Sequence, residues 1–322
     1  MQVAIAQPSS GLQPDTPATS ISTPRDAVAL GLGRVPPTAL LLLAIIFVQL
    51  GAALATVLFS TIGATGIAFT STFFSAAAVT LLESRGAIVA KGRSPRGALR
   101  DAWRQWRLVL LFGAAIALLT LPYFLALETL PLGIVATITF LGPLGLAVAS
   151  SRRMVHFCWI GLAVFGVLLL APEVGSHLDP RGLVYAGVAA LAWAAFVPLS
   201  KRIGSVLPGQ TGLAWALWAA TAMLLPLAVF ERGLFNASLS DILAALAVSL
   251  LGFVLPMVLE FQALQKMSAR TYGILLTLEP AAGAIVGVLC LDQPAGPRML
   301  VAVACVMLAA LGVTLSDRRG LD

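Results

Sequence analysis

Two carboxylates, Glu260 and Glu279, stand inside long apolar stretches of this chain, whereas almost every other ionisable residue falls outside them. Placing a carboxylate near the centre of a membrane helix costs about 2.5–3.5 kcal/mol, so such a residue normally faces a cavity or a partner. Glu279 lies seven residues past Tyr272, on the order of 10 Å along a helix, and directly precedes Pro280. A proline in mid-helix cannot donate to the hydrogen-bond ladder, and here it frees a carbonyl near residue 276, beside the carboxyl group. An acid so placed can exchange a proton or receive a substrate ammonium. The structural alternative is a hydrogen bond or ion pair to another helix. Glu260 follows Pro256 by four residues and shares its helical face. It either joins the same chemistry, snorkels to water, or pairs with Lys266 or Arg270.

Four further polar side chains can line an amphiphilic pocket: Gln49, Tyr123, Trp193 and Tyr272. Interfacial anchoring explains the two tyrosines equally well. Ser71 and Ser75 share a face of one apolar run, and Gly283 and Gly287 form a small-xxx-small pair in another; both patterns suit close helix packing. Pro143, Pro256 and Pro280 are the candidate hinges, since each interrupts an apolar run. His156 and His177 have no metal-like companion, and Cys158, Cys290 and Cys305 fall in apolar segments as packing residues. No metal, cofactor or disulfide is expected.

The elements that must hold these residues are transmembrane helices. Fifty-nine per cent of residues are hydrophobic and 11% charged, far from a water-soluble domain. One crossing needs roughly 20 apolar residues, so 322 residues hold ten crossings with short loops. The runs are Thr38–Phe59, Ile62–Leu82, Leu108–Leu127, Leu130–Ala149 and Val155–Ala171, then Leu183–Ser200, Thr211–Phe230, Ile242–Gln265, Tyr272–Leu291 and Met299–Ser316. Residues 1–37, rich in Pro, Ser and Thr, read as a disordered cytoplasmic tail and not as a signal peptide.

With ten crossings, 17 of the 20 Lys and Arg residues fall on the side of the termini and only Arg181, Arg232 and Arg298 on the other. The rule that cytoplasmic loops are positive then puts both termini inside. It also accounts for the basic balance without nucleic acid, which would need a folded basic face in water. Loop 83–107 carries seven of these basic residues; it serves as an orientation signal, or alternatively as a surface for lipid or a partner.

Shifting the chain by 137 residues lays Phe124, Ala126, Leu127 and Pro143 on Phe261, Ala263, Leu264 and Pro280. This equates the third and fourth helices with the eighth and ninth. The fold class expected is therefore all-α and membrane-embedded, with two five-helix repeats at 38–172 and 183–316. Five is odd, so the repeats must be inverted, as in secondary transporters whose site sits at the midplane between halves.

These residues resemble a known family, the ten-helix drug/metabolite transporter superfamily of EamA type, and within it the threonine and homoserine exporters. The stretches that carry the resemblance are Gln49-Leu50-Gly51-Ala52, Leu130 to Pro143, Ser150-Ser151-Arg152-Arg153, Leu255 to Glu260, Ala269 to Gly273 and Leu278-Glu279-Pro280-Ala281. The resemblance covers residues 38–316. It implies efflux of amino acids or similar small amphipathic metabolites across the bacterial inner membrane, driven by ion exchange; the depth of Glu279 and the adjacent Pro280 make a proton the expected coupling ion. Relatives of this kind carry a basic residue where Thr56 stands, an arginine at Ser71 and a glutamate at Thr139; all three are uncharged here. The acids Glu260 and Glu279 of the second half remain, which points to an altered substrate or coupling site.

Two readings from other classes stand beside transport. A membrane enzyme acting on lipid-linked substrates would need clustered His, Asp or Glu near the interface, and the chain's two histidines are distant from its acids. A scaffold or sensor would work through the basic loop without flux. Transport is preferred to both, and oligomeric state is left open.

Overall fold

A computed structural model describes residues 35–89, 103–149, 155–170, 178–207, 210–231, 233, 236–256, 259–260, 263, 275–294 and 296–316. The tail as far as Arg34, the loop between residues 89 and 103, and Tyr272 lie outside the described residues. In chain order the helices are α1 (Pro37–Val57), α2 (Gly63–Val89), α3 (Trp106–Leu127), α4 (Leu132–Ala149) and α5 (Val155–Leu170). There follow α6 (Pro180–Val206), α7 (Thr211–Phe230), α8 (Leu239–Ser249), α9 (Glu279–Leu291) and α10 (Pro297–Ser316), with a π-helical turn at Leu250–Val254 directly after α8.

Local chemistry sets many of the starts. Pro37 opens α1, where its missing N–H would have had no partner in any case. Asp179 caps α6 by accepting from the Arg181 N–H at 2.8 Å, with Pro180 in the first position. Ser238 and Asp241 form a reciprocal capping box at the start of α8. Its hydrogen bonds from Ser238 hold the Asp241 carboxyl below its ordinary range. That stabilisation is complete above the ordinary carboxylate pKa and is lost as pH falls through the lowered value.

Among the described residues, five helices, α1, α2, α3, α6 and α7, are long and apolar enough to cross a membrane. Large apolar side chains stay exposed on their outer faces, among them Leu43, Leu111, Leu191 and Phe230. Helices that are apolar all round are what lipid as solvent permits. α3 packs against α6 and α7, α2 against α7, and α4 against α6 and α9; α5 and α10 pair with each other.

One end of the bundle is held by polar contacts between chain ends. The Ala64 N–H donates to Glu128 Oε1 at 3.0 Å, and the Thr65 hydroxyl donates to Glu231 Oε1 at 2.7 Å. Two carboxylates, one just after α3 and one just after α7, thus meet the N-terminus of α2, where the helix dipole favours negative charge. Gly63, at φ +76°, makes the left-handed turn that admits them. At the same end the Leu132 N–H at the start of α4 donates to Gln293 Oε1 at 3.0 Å, just past α9.

The apolar runs agree closely with the helices, and the run at Thr211–Phe230 coincides with α7. Two expectations need correction. The eighth run widens into the π turn, within which Gly252 meets the backbone of Gly51 on α1. The ninth is not one helix from Tyr272 to Leu291. Residues 277–278 form a turn and α9 begins afresh at Glu279. Pro280 therefore occupies the first turn, where its missing N–H costs no ladder bond, and does not sit mid-helix.

A leucine at Gly51 has nowhere to go, because even a Cβ there would overlap Gly252. Overpacking of this kind costs about 1–3 kcal/mol. Thermal unfolding in detergent should show Gly51→Leu clearly destabilised. Gly187→Ala, which adds a Cβ where no atom lies within 4 Å, should hold or raise the midpoint.

Candidate functional site

Most hydroxyls inside the bundle are spent on the backbone of their own helix. Thr70 donates to Gly66 O at 2.9 Å, Thr137 to Gly133 O at 2.6 Å, Thr139 to Val135 O at 2.8 Å and Thr221 to Leu217 O at 2.8 Å. Ser249 donates to Ala245 O at 2.7 Å and reaches Thr70 O on α2 at 3.3 Å, directly before the π turn. Among the described residues, four buried side-chain oxygens have no hydrogen-bond partner: Gln49 Oε1, Ser71 Oγ, Ser75 Oγ and Glu279 Oε2. Leaving such a group unpaired in a dry interior costs about 1–3 kcal/mol each. Evolution tolerates that cost most readily where a ligand supplies the missing partner.

Gln49 and Glu279 belong to one place. Gln49 is 1% exposed on α1 and Glu279 8% exposed at the first position of α9. Gly283, one helical turn beyond Glu279, lies against Gln49: a Cβ there would stand 3.2 Å from Gln49 Oε1 and 2.8 Å from the Ala136 Cβ of α4. Positions four apart share a helix face, so the amide and carboxylate oxygens point into the same region where α1, α4 and α9 meet. Gly287 continues the stripe against Leu132 and Gln293.

Of the six polar candidates read from sequence, Gln49 and Glu279 are thus brought to one region, while Tyr123 is partly buried on α3 and Glu260 partly buried beyond the π turn. Trp193 is half-buried on α6, and Tyr272 lies outside the described residues. Pro256 is buried just past the π turn, Pro280 is buried beside Glu279, and Pro143 lies inside α4. At the three positions where charge is missing, Thr56 donates to Ala53 O at 2.7 Å and Thr139 to its own helix, while Ser71 is the buried hydroxyl left without a partner.

The sequence reading missed the clamp on α2 made by Glu128 and Glu231 and the bond from α4 to Gln293. Both acids stand outside the apolar runs, where an acid is unremarkable, and the Thr65–Glu231 pair spans 166 residues. Nothing local signals such a contact. Among the described residues, no cluster of three or more His, Cys, Asp or Glu forms a metal site.

This arrangement of apolar helices defines a multi-pass integral membrane protein. A model for the EamA-like transporter family matches residues 180–315. The threonine/homoserine exporter RhtA of Escherichia coli (strain K12) is 33% identical over 285 residues, covering 88% of this chain and 92% of that protein. The exporter of the same name from Salmonella typhimurium (strain LT2) matches to the same extent, at 33% over 88% of this chain. Protein PecM of Dickeya dadantii (strain 3937) is 27% identical over 66% of this chain and 76% of its own. A solved crystal structure shares the fold, with a TM-score of 0.55 at 21% identity over 88% of this chain and 98% of that one. The chain belongs to the EamA-like transporter family. It is a transporter and not an enzyme, so the reading as a lipid-linked enzyme falls.

If the unpaired Gln49 oxygen awaits a ligand, its amide is a burden to the empty protein. Replacing a buried unpaired polar group by an apolar one of similar shape is close to neutral or stabilising. Gln49→Leu should therefore unfold at or above the wild-type temperature in detergent while losing transport. A midpoint several degrees lower would mean that Gln49 holds the fold together.

Proposed function

We propose that the protein exports amino acids or similar small amphipathic metabolites across the bacterial inner membrane, coupled to proton entry, by alternating access between two inverted five-helix repeats. The observation that carries the proposal is the Glu279 carboxyl, whose Oε2 has no partner, at the break before α9, with the Gln49 amide oxygen against Gly283 one turn further along α9. Together they offer acceptors to an ammonium group, which brings three N–H donors. The start of α9 adds the positive end of a helix dipole, suited to the carboxylate of the same substrate. Broken helices meeting at mid-membrane are the usual way in which secondary transporters build such a site.

Proton coupling rests on the same acids. Glu260 and Glu279 are the two acids of the apolar runs, and where two such acids are coupled a proton delivered to one changes the affinity of the other for a cation. Substrate ammonium and proton would then compete for Glu279, which couples their movement in opposite directions. The named relatives export threonine and homoserine, and these are the first substrates to try. The uncharged Thr56, Ser71 and Thr139 favour a specificity that differs from theirs.

Inversion of the repeats draws support from the contacts at the clamped end. There α1 finishes, beside the ends of α3 and α7, and α6 begins, its Gly182 against Thr129 and Leu130. The first helix of each proposed repeat, α1 and α6, thus runs in the opposite sense. The excess of basic residues on one side supports a cytoplasmic location for the end opposite the clamp.

Purified protein in liposomes with an imposed pH gradient should move threonine or homoserine. Glu279→Gln should abolish that flux, by on the order of 100-fold, a scale set by the loss of a charge-assisted contact worth about 3 kcal/mol. Glu260→Gln should shift its pH dependence. Unaltered flux in Glu279→Gln would remove this residue from the mechanism.

A further inference from the structure

At the end of the bundle away from the Glu128 and Glu231 clamp, the start of α3 and the finish of α6 diverge and leave a groove of about 590 Å³. Three guanidinium groups stand on its lining, from Arg104, Arg107 and Arg202, and among the described residues no acidic side chain lines it. All three arginines are exposed. The Arg107 guanidinium lies over the Trp106 ring, 5.4 Å from its centroid, a cation–π contact that holds its planar fork in one orientation. Below the arginines the wall turns apolar, formed by Leu108, Leu111 and Val206. The last two are themselves exposed, at 59% and 44%.

This gradient from three cations to bare aliphatic surface, within two turns of helix, matches one kind of molecule. A free phosphate uses only the upper part, and a soluble peptide gains nothing from the lipid-facing wall. A phospholipid with a net negative headgroup uses both: phosphate oxygens on the arginines, which bind such groups bidentately, and an acyl chain against Leu108, Leu111 and Val206. Trp106, exposed beside the arginines, and Trp103, at 77% exposure one turn earlier, stand where amphipathic rings settle at the level of headgroups.

We infer that the groove between the N-terminal end of α3 and the C-terminal end of α6 is a binding site for an anionic phospholipid of the leaflet at that end. The site uses none of the residues around Glu279, so it stands or falls independently of the transport substrate. Because α3 also carries Tyr123, the bound lipid braces a helix that bears one of the polar candidates.

The test uses the full-length protein, purified, stripped of lipid and examined by native mass spectrometry with added phosphatidylglycerol, phosphatidylcholine or inorganic phosphate. Wild type should retain phosphatidylglycerol over phosphatidylcholine. Arg104→Gln, Arg107→Gln and Arg202→Gln combined should weaken phosphatidylglycerol by about tenfold or more, given the contribution of each basic residue near a charged leaflet, with phosphatidylcholine unchanged. Arg152→Gln with Arg153→Gln, which removes positive charge elsewhere, should leave the preference intact. Equal retention in the triple variant, equal loss in the Arg152 and Arg153 variant, or displacement by inorganic phosphate at lipid concentrations would each overturn the proposal. Should the triple variant fail to fold, a photoactivatable phosphatidylglycerol on wild type decides the matter. Its label should fall on residues 103–111 and 199–206, and label spread evenly over the bundle would count against the site.

Discussion

In the hydrocarbon core of a bilayer a hydroxyl, amide or carboxyl group finds a hydrogen-bond partner only in protein, and the placement of polar groups in this chain follows from that constraint. Thr70, Thr72, Thr80, Thr137, Thr139 and Thr221 each meet it by donating to a carbonyl of their own helix. Each donor is thereby spent, and the Thr80 hydroxyl in addition accepts from Trp218 Nε1 at 3.1 Å. Against this background the unpaired oxygens of Gln49 and Glu279 stand out, because they sit where three helices converge and where the chain itself breaks to start α9. The proposed substrate site rests on these two oxygens, while the unpaired hydroxyls of Ser71 and Ser75 on α2 are assigned no part in it.

The same solvent removes the hydrophobic drive for helices to associate, so close approach of small residues must replace it. Gly51 meets Gly252 backbone to backbone, and the π turn that carries Gly252 is the distortion that lets α1 come so near. Gly283 and Gly287 do the same for α9 along α4. These contacts bring Gln49 and Glu279 together, so packing and site share one set of residues. At the clamped end, Glu128 and Glu231 tie α2 to the ends of α3 and α7, closing that end with charge and hydrogen bonds.

Much of this was legible from residue type and spacing. Apolar runs located the helices because a bilayer of fixed thickness demands them, and Thr211–Phe230 was read to the residue. α6 runs past its apolar core to Val206, since Lys201 and Arg202 are good helix formers that hydropathy cannot count as membrane. The two acids stand out in the sequence because lipid penalises them, and the structure adds the Gln49 amide beside the first turn of α9. The break before α9 was not legible. Pro280 announces an interruption, but whether it kinks a helix or opens one depends on the hydrogen bonds of residues 277 and 278, which sequence does not encode locally. Long-range pairs such as Thr65 with Glu231 left no trace at all, because each partner is ordinary in its own neighbourhood.

The account depends on Glu279 giving up a proton when substrate arrives, and the most direct test is to watch that proton. Purified protein in weakly buffered detergent, titrated with threonine or homoserine beside a pH indicator, should release protons in step with binding measured in parallel. The release should vanish in Glu279→Gln. Substrate that binds wild type with no proton released, or an undiminished release from the Glu279→Gln protein, would contradict the account.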